Sequence, residues 1–207
     1  MAKRTGDKYE AILAAAAEVI AQFGYHKAQI SRIARVAGVA DGTIYLYFDN
    51  KDDILVSLFR EMMARFLCRL DASLQMCDNA EDQMRALIGH HLGFMAEHPS
   101  YAAVTQIELR QPHPAVQREI GRVLKPYFER MDHVIRTGMA DGQFSAETDV
   151  RLARKVMFGG LDQLVTTWVL HGGGYDLRSQ VEPLWRFLSG GLKGNGVSDR
   201  IKRGWSL

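Results

Sequence analysis

Residues 24–51 read GYHKAQISRIARVAGVADGTIYLYFDNK, and the fold follows from their pattern. Apolar residues at helical spacing share one side of a short helix that ends at Gly38, and a second short helix is expected over about 41–47. Two short helices joined by a glycine turn, with a longer helix before them, form a helix-turn-helix. The side chains expected in its core are Ile30, Ile33, Ala34, Val39, Ile44 and Phe48.

The flanking sequence predicts a long helix on each side of this unit. The preceding helix has an apolar stripe from Tyr9 to Phe23 and ends at Gly24. The following helix has Asn50 as its N-cap, with two aspartates in the first turn, where carboxylates favour the positive end of the helix dipole. Helical spacing therefore extends outward from the helix-turn-helix in both directions.

The remainder of the chain also predicts helices and no strand. Turn and cap signals divide it into five segments, and Pro126 predicts a kink or a break inside one of them. The expected fold class is all-α, with about nine helices. The five later helices are expected over 80–97, 99–110, 114–140, 147–170 and 177–192.

Composition sets the limits on function. The chain has 207 residues, 47% of them hydrophobic, and a formal net charge of +2, so nucleic-acid binding requires a locally basic face. Cys68 and Cys77 lack the spacing of a zinc site and are expected to be reduced thiols. The charged first residues do not resemble a signal peptide, and no stretch is long and apolar enough to span a bilayer. A soluble cytoplasmic protein is expected.

The second short helix is suited to a DNA groove. The major groove is about 12 Å wide, and the leading end of this helix carries only small residues. Tyr45 and Tyr47 can contact phosphate oxygens or a thymine methyl group, and the sequence leaves open which of them packs beneath the helix. The start of the preceding helix can meet a phosphate. The predicted DNA contacts are Gln29, Ser31, Asp41, Gly42, Thr43, Tyr45, Tyr47 and Lys51.

The same region resembles the DNA-binding domain of the TetR family of repressors over roughly residues 8–55. The resemblance rests on Gly24-Tyr25, Ile33-Ala34, Ala37-Gly38-Val39, Gly42 to Phe48 and Asn50-Lys51. It implies a homodimer whose second short helix enters the major groove of double-stranded operator DNA. The chain departs from the family at Ala28 and Ala40, where a hydroxyl residue is commonly the N-cap. Gln29 and Asp41 can take over that capping, which competes with a base contact by Asp41.

The resemblance further implies a division of the chain. We expect a helix-turn-helix DNA-binding domain over 1–50, a ligand-binding and dimerisation domain over 51–194, and a flexible tail over 195–207. In the family the last two helices form a four-helix dimer interface. The residues expected there are Val156, Gly160, Gln163, Thr167, Val181, Leu184, Trp185 and Leu188. The alternative is that these stripes pack only within one chain.

Three segments, 41–48, 104–111 and 149–168, are similar to the fatty-acid-metabolism repressors of this family, which sense long-chain acyl-CoA. The similarity implies a repressor that a long-chain acyl-CoA releases from a palindromic operator and that controls genes of fatty-acid metabolism. Apart from this effector, no cofactor, metal or catalytic residue is expected.

An acyl-CoA effector needs a long apolar slot and cations for its phosphates. Bulky or flexible apolar residues on the central helices are candidates for the slot, although such residues are also ordinary core. The arginines are candidates for the phosphates, although each can equally be a solvated surface charge. The predicted ligand-binding residues are Met95, Val104, Ile107, Glu108, Arg110, Gln111, Arg151, Arg154 and Trp168.

Three other functions compete with this interpretation. One is a helical adaptor protein whose DNA-binding unit is vestigial. A multidrug-sensing repressor of the same family would bind cationic drugs through buried carboxylates and aromatic walls, for which Glu108, Asp162 and Trp168 are candidates. An enzyme is the other class. The histidines at 90, 91 and 98 lack the close pairing of a metal site, and no nucleophile motif or phosphate loop is present, so no enzyme is expected.

Overall fold

The computed structural model describes residues 5–108 and 114–194. Within these ranges it contains nine α-helices and a 3₁₀ turn and no strand, which confirms the predicted all-α class. In chain order the helices are α1 (Asp7–Phe23), α2 (Ile30–Val36), α3 (Asp41–Tyr47), α4 (Lys51–Gln75), α5 (Ala80–Glu97), α6 (Pro99–Glu108), α7 (Pro114–Ala140), α8 (Val150–Leu170) and α9 (Val181–Leu192), with the 3₁₀ turn Leu177–Gln180 before α9.

Helices α1 to α3 form a small unit around a common apolar core. Ile12, Ile33 and Ile44, one from each helix, are completely buried. Between α2 and α3, Gly38 has a φ of 67°, a conformation that glycine adopts without steric cost. The predicted helix-turn-helix is therefore present, with α1 as its supporting helix.

Helix α4 connects this unit to the remaining helices. It begins as predicted, because the Asn50 side chain accepts a hydrogen bond from the backbone N–H of Asp53 at 2.9 Å. Its 25 residues make it about 37 Å long. It contacts α1 as well as α5 and α7, so both parts of the molecule are built on one continuous helix.

Ion pairs fix the later helices against one another. Arg130 of α7 donates to both carboxylate oxygens of Asp71 of α4, at 2.6 and 2.7 Å, and this hydrogen bonding lowers the pKa of Asp71. Arg154 of α8 donates to Asp132 of α7 at 2.8 Å. Helix α6 contacts both α1 and α8, so it touches the helix-turn-helix unit as well as the C-terminal helices.

Two local predictions need correction, and a third is narrowed. A kink or a break was expected at Pro126; α7 continues through this residue without a break, and a kink there remains a prediction. Helix α8 begins at Val150 rather than at 147, because the Asp149 side chain caps it by accepting hydrogen bonds from the two backbone N–H groups that follow Val150. Ile30 and Val39 are only partly buried, since they lie at the edge of the small unit.

Candidate functional site

Helix α3 presents one continuous face to solvent. Asp41, Gly42, Tyr45 and Leu46 are exposed on it, with Tyr45 58% and Leu46 63% accessible. Exposed apolar side chains that lie together on a protein surface are typical of a site that binds a partner. Leu46 was not predicted as a contact, although its position one turn after Gly42 places it on the same helix face.

The two tyrosines of α3 have different environments. Tyr47 is partly buried, and its ring lies 6.3 Å from that of Tyr9 and 6.4 Å from that of Phe48. Tyr45 points outward. The ambiguity that the sequence left is therefore resolved: Tyr47 packs against α1, and Tyr45 belongs to the exposed face. Thr43 is intermediate in exposure.

Helix α2 supplies polar and cationic side chains beside α3. Gln29 and Ser31 are exposed at its start, and Arg35 is exposed in its last turn. The guanidinium of Arg32 lies 4.0 Å from the centre of the Phe23 ring. Neither α2 nor α3 has a side-chain cap, so the expectation that Gln29 and Asp41 act as caps is wrong. Both side chains extend into solvent instead.

Lys51 has partners within the chain. Its ammonium group donates to the carbonyl oxygens of Tyr25 at 2.8 Å and His26 at 3.3 Å, and it lies 4.4 Å from the centre of the Tyr25 ring. The Tyr25 hydroxyl donates to Asp52. Lys51 therefore holds the turn between α1 and α2 against the start of α4, and a DNA contact from it remains a prediction.

The C-terminal helices enclose an apolar cavity with a few polar groups in its wall. Helices α4 to α8 all contribute, and the remaining free volume is about 30 Å³. Ligand pockets usually hold roughly 300–1,000 Å³, so this cavity has room for little more than a water molecule. The lining side chains are Phe59, Met63, Phe66, His91, Met95, Tyr101, Thr105, Gln106, Leu124, Tyr127, Phe158 and Asp162.

Two hydrogen bonds cross the cavity region. His91 Nδ1 and the Tyr127 hydroxyl are 2.9 Å apart and connect α5 to α7. Burial lowers the pKa of His91 to about 3, so its imidazole is neutral at physiological pH. The Thr166 hydroxyl donates to the side-chain oxygen of Gln106 and connects α8 to α6. A ligand that enlarges the cavity has to move helices that these bonds hold together.

The structure separates the predicted ligand residues into three groups. Met95 lines the cavity, whereas Val104 is buried elsewhere in the core. Trp168 donates to the carbonyl of Tyr175 at 2.9 Å and packs away from the cavity. Arg151 is exposed, and Arg154 is paired with Asp132, so neither reaches the cavity wall. The side chains of Ile107 and Glu108, and the whole of Arg110 and Gln111, lie outside the described residues.

Most cavity residues were not predicted. Those missed include Phe59, Met63 and Phe66 of α4 and Leu124 and Tyr127 of α7. Each belongs to an apolar stripe that looks like ordinary core, and only the packing of five helices shows which stripes meet at a cavity. Asp162, considered in the sequence for a cationic drug, does line the cavity.

Helices α8 and α9 leave large apolar side chains uncovered. Leu152, Val156 and Leu170 of α8 are 50–77% exposed, and Phe187 of α9 is 76% exposed. Of the predicted interface residues, Val156 and Gln163 are exposed, and Gly160, Thr167, Val181 and Leu184 are intermediate.

Trp185 and Leu188 need correction as interface residues. They are only 4% and 8% exposed within a single chain, because they form the inner face of α9. Phe187 lies on the opposite, outer face of the same helix. A Cβ on Gly160 would lie 3.4 Å from a methyl group of Leu184, so this glycine permits close approach of α8 and α9 within the chain.

The histidines at 90 and 98 contact other groups of the protein. His90 Nε2 donates to the carbonyl of Phe66 at 2.9 Å, and the His98 ring lies 4.5 Å from that of Phe94. Desolvation lowers the pKa of both. Among the described residues, no three potential ligands are arranged to hold a metal ion. None of the helices described here has the length and hydropathy of a membrane span.

Comparison with known proteins divides the chain into two matched parts. Residues 12–58 match the family model described as bacterial regulatory proteins, tetR family, and residues 59–191 match the model of the YsiA-like protein, C-terminal region. The chain is 42% identical over 190 residues to the fatty acid metabolism regulator protein of Bacillus subtilis, covering 92% of this chain and 98% of that protein.

Two solved structures are similar over nearly their whole length. The transcriptional regulator FadR from Bacillus subtilis, in complex with stearoyl-CoA, has a TM-score of 0.85 and 42% identity, covering 89% of this chain and 99% of that one. The fatty acid degradation regulator FadR from Bacillus halodurans has a TM-score of 0.85 and 44% identity, with the same coverage.

Proposed function

This chain belongs to the TetR family of bacterial regulatory proteins, and from that premise we propose that it is a homodimeric repressor released from its operator by long-chain acyl-CoA. The observation that carries the proposal is the extent of the similarity. At 42% identity it spans both matched parts of the chain, and the similar Bacillus subtilis structure holds stearoyl-CoA. The regulated genes are then those of fatty-acid metabolism, and the protein acts in the cytoplasm, where the bacterial chromosome lies.

The exposed face of α3 is the proposed base-reading surface. Asp41, Gly42, Tyr45 and Leu46 enter the major groove, while Gln29, Ser31 and Thr43 contact the backbone beside it. The exposed face carries no side chain that pairs bidentately with guanine or adenine. Thymine methyl groups are therefore the natural partners of Tyr45 and Leu46.

The uncovered apolar residues of α8 and α9 are the proposed dimer interface. Val156 and Gln163 of α8 and Phe187 of α9 lie on the outer surface of these helices. Pairing with the same helices of a second chain would bury them in a symmetric interface. The dimer holds two α3 helices at the spacing of successive major grooves, about 34–36 Å.

The nearly closed cavity explains how a ligand acts on DNA binding. A free volume of about 30 Å³ does not admit a long acyl chain, so ligand binding selects a conformer in which helices α4 to α8 are further apart. Helices α4 and α6 both contact α1. Displacement of either therefore moves the helix-turn-helix unit and changes the distance between the two α3 helices. We place the DNA-binding domain at 1–50 and the ligand-binding and dimerisation domain at 51–194; the tail predicted over 195–207 lies outside the described residues.

Ligand-induced release from DNA tests the proposal. Fluorescence anisotropy of labelled operator DNA, taken from the promoter beside the gene of this protein, is followed while stearoyl-CoA, stearic acid or CoA is added. Release by stearoyl-CoA at concentrations where stearic acid and CoA leave the complex intact is expected. A complex that stearoyl-CoA does not dissociate contradicts the proposed effector.

A multidrug sensor is the second candidate, because Asp162 places a carboxylate in the cavity wall. A hydrophobic cation such as ethidium replaces the acyl-CoA in the same experiment. Release by the cation and not by stearoyl-CoA would favour this alternative.

A further inference from the structure

The apolar cavity borders two depressions of the surface. One side chain lies between the cavity and each depression and lines both. Met63 lines both the cavity and a groove of about 340 Å³ between α4 and α7. Tyr101 lines both the cavity and a cleft of about 520 Å³ between α1, α4 and the start of α6. We call the first the arginine groove (Arg60, Met63, Leu67, Glu119, Arg122, Pro126) and the second the acidic cleft (Glu10, Glu61, Arg65, Glu97, Tyr101).

The two shared side chains differ in how easily they move. Met63 is unbranched, with flexible torsions and a polarisable thioether, and such side chains adapt to irregular surroundings. Tyr101 is rigid, and its ring packs edge-on against those of Phe59 and Phe94, at 5.7 and 6.2 Å. Rotation of Met63 opens the cavity without breaking aromatic contacts, whereas displacement of Tyr101 breaks two.

The charges of the two depressions are opposite. The arginine groove carries Arg60 and Arg122 against the single carboxylate of Glu119. Arg122 pairs with Glu119 across an exposed surface, where an ion pair contributes little and is readily exchanged.

The acidic cleft contains three carboxylates and one arginine. Arg65 already lies 3.2 Å from Glu10 and 3.3 Å from Glu61, so its charge is satisfied. An anionic head group is therefore attracted to the arginine groove and repelled by the acidic cleft.

The wall between the cavity and the arginine groove has a weak point in α7. Leu124 and Tyr127 face the cavity, while Val123 and Pro126 face the groove. Proline has no backbone N–H, so the carbonyl of Arg122 lacks the intrahelical donor that residue 126 would otherwise supply. This segment therefore loses fewer intrahelical hydrogen bonds than an ordinary helical turn when α7 bends here, away from α4.

We infer that the arginine groove is the entrance and head-group site for the effector, with Met63 as the gate and with Arg60 and Arg122 binding the phosphates of CoA. The acyl chain passes Met63 into the cavity, and the phosphates remain at the surface, where guanidinium groups bind them through charge-assisted hydrogen bonds. This inference rests on the proposed function and assigns the two ends of its ligand to separate places.

Arginine variants test the head-group site. Isothermal titration of stearoyl-CoA is compared for the wild type, Arg60→Gln, Arg122→Gln and the double variant, with Arg65→Gln as the matched control from the acidic cleft. Loss of two charge-assisted contacts is expected to weaken binding at least about tenfold in the double variant, while Arg65→Gln and the wild type bind alike. Unchanged operator affinity shows that the variants are folded.

The outcomes distinguish the inference from the proposed function. A wild type that does not bind stearoyl-CoA contradicts both. A wild type that binds, with a double variant that binds equally well, overturns the arginine groove alone. Weakening by Arg65→Gln without weakening by the double variant assigns the head group to the acidic cleft and also overturns the inference.

Association kinetics test the gate. Met63→Ile keeps a similar apolar volume but replaces a flexible side chain with a β-branched one of restricted torsion. Stopped-flow mixing with stearoyl-CoA is expected to show association slowed several-fold relative to the wild type and to Met62→Ile, a neighbour that lines only the acidic cleft. Equal association rates in all three proteins would exclude Met63 as the gate.

Discussion

The helix-turn-helix unit and the C-terminal helices place their proposed functional side chains in opposite ways. The first carries them outward on α3, where Tyr45 and Leu46 are more than half exposed. The second carries them inward, around a cavity of about 30 Å³. In the proposed function, a rigid duplex is recognised by a preformed outer surface, whereas a flexible acyl chain is taken into a core that has to open. The two regions therefore differ in how much of the protein moves on binding.

The largest expected effect comes from a substitution in the core of the helix-turn-helix unit. Ile44→Ala removes a completely buried side chain beneath α3 and is expected to cost about 2–5 kcal/mol of unfolding free energy. Thermal denaturation followed by circular dichroism measures the loss, and operator binding is expected to fall with it. Stearoyl-CoA binding is expected to persist, because the cavity contains no residue of α1 to α3. Simultaneous loss of ligand binding would show that the two regions are not separable.

Low pH is expected to destabilise the C-terminal helices through His91. Burial lowers the pKa of His91 from 6.5 to about 3, so between these values the unfolded chain binds a proton that the folded chain does not. Its contribution to stability is complete above pH 6.5 and decreases as the pH falls, by about 2 kcal/mol between pH 6.5 and 5.

Urea unfolding at pH 7 and pH 5 measures this loss of stability. His91→Gln is the control, because glutamine does not titrate. The wild type is expected to lose more stability than the variant over this interval. Equal losses in the two proteins would mean that His91 is protonated in the folded state near pH 6.5.

A smaller effect is expected at the exposed face of α3. Leu46→Ala is expected to weaken operator binding about tenfold with little change in the thermal midpoint, because the side chain is 63% exposed in the free protein. Anisotropy at fixed salt concentration measures the affinity, and deoxyuridine in place of thymidine in the half-site tests whether a methyl group is the partner. An affinity loss that is the same on both DNAs would place Leu46 elsewhere than against thymine. Met76→Ala, which truncates an exposed apolar side chain outside the proposed DNA surface, is the matched control.

The smallest expected effect comes from an ion pair between the helix-turn-helix unit and the C-terminal helices. Arg65 of α4 pairs with Glu10 of α1 at 3.2 Å, and both side chains are about half exposed. Arg65→Gln is expected to change the unfolding free energy by less than about 1 kcal/mol, because solvent screens the pair. Chemical denaturation measures the change. A larger loss would show that this ion pair, rather than apolar contacts, holds the helix-turn-helix unit on the C-terminal helices.

The two regions also differ in how far the sequence predicted them. The helix-turn-helix, its glycine turn and the Asn50 cap were predicted correctly, because caps, turns and helical stripes depend on residues within a few positions of one another. Trp185 and Leu188 were assigned to the wrong face of α9, because an apolar stripe does not show whether its partner belongs to the same chain. Arg154 was a candidate phosphate ligand, and its partner Asp132 lies 22 residues away on another helix.

By itself the sequence determined that the chain is helical, that residues 24–51 form a helix-turn-helix, and which family it resembles, since these depend on local spacing and on motif residues. Only the tertiary structure decided that Tyr45 rather than Tyr47 faces outward, that Asp71 and Arg130 join α4 to α7, and that Met63 separates a cavity from a cationic groove. The physical reason is that burial, pairing and enclosure belong to several helices at once. Each helix carries an apolar stripe, and only their packing decides which stripes fill the core and which surround a space.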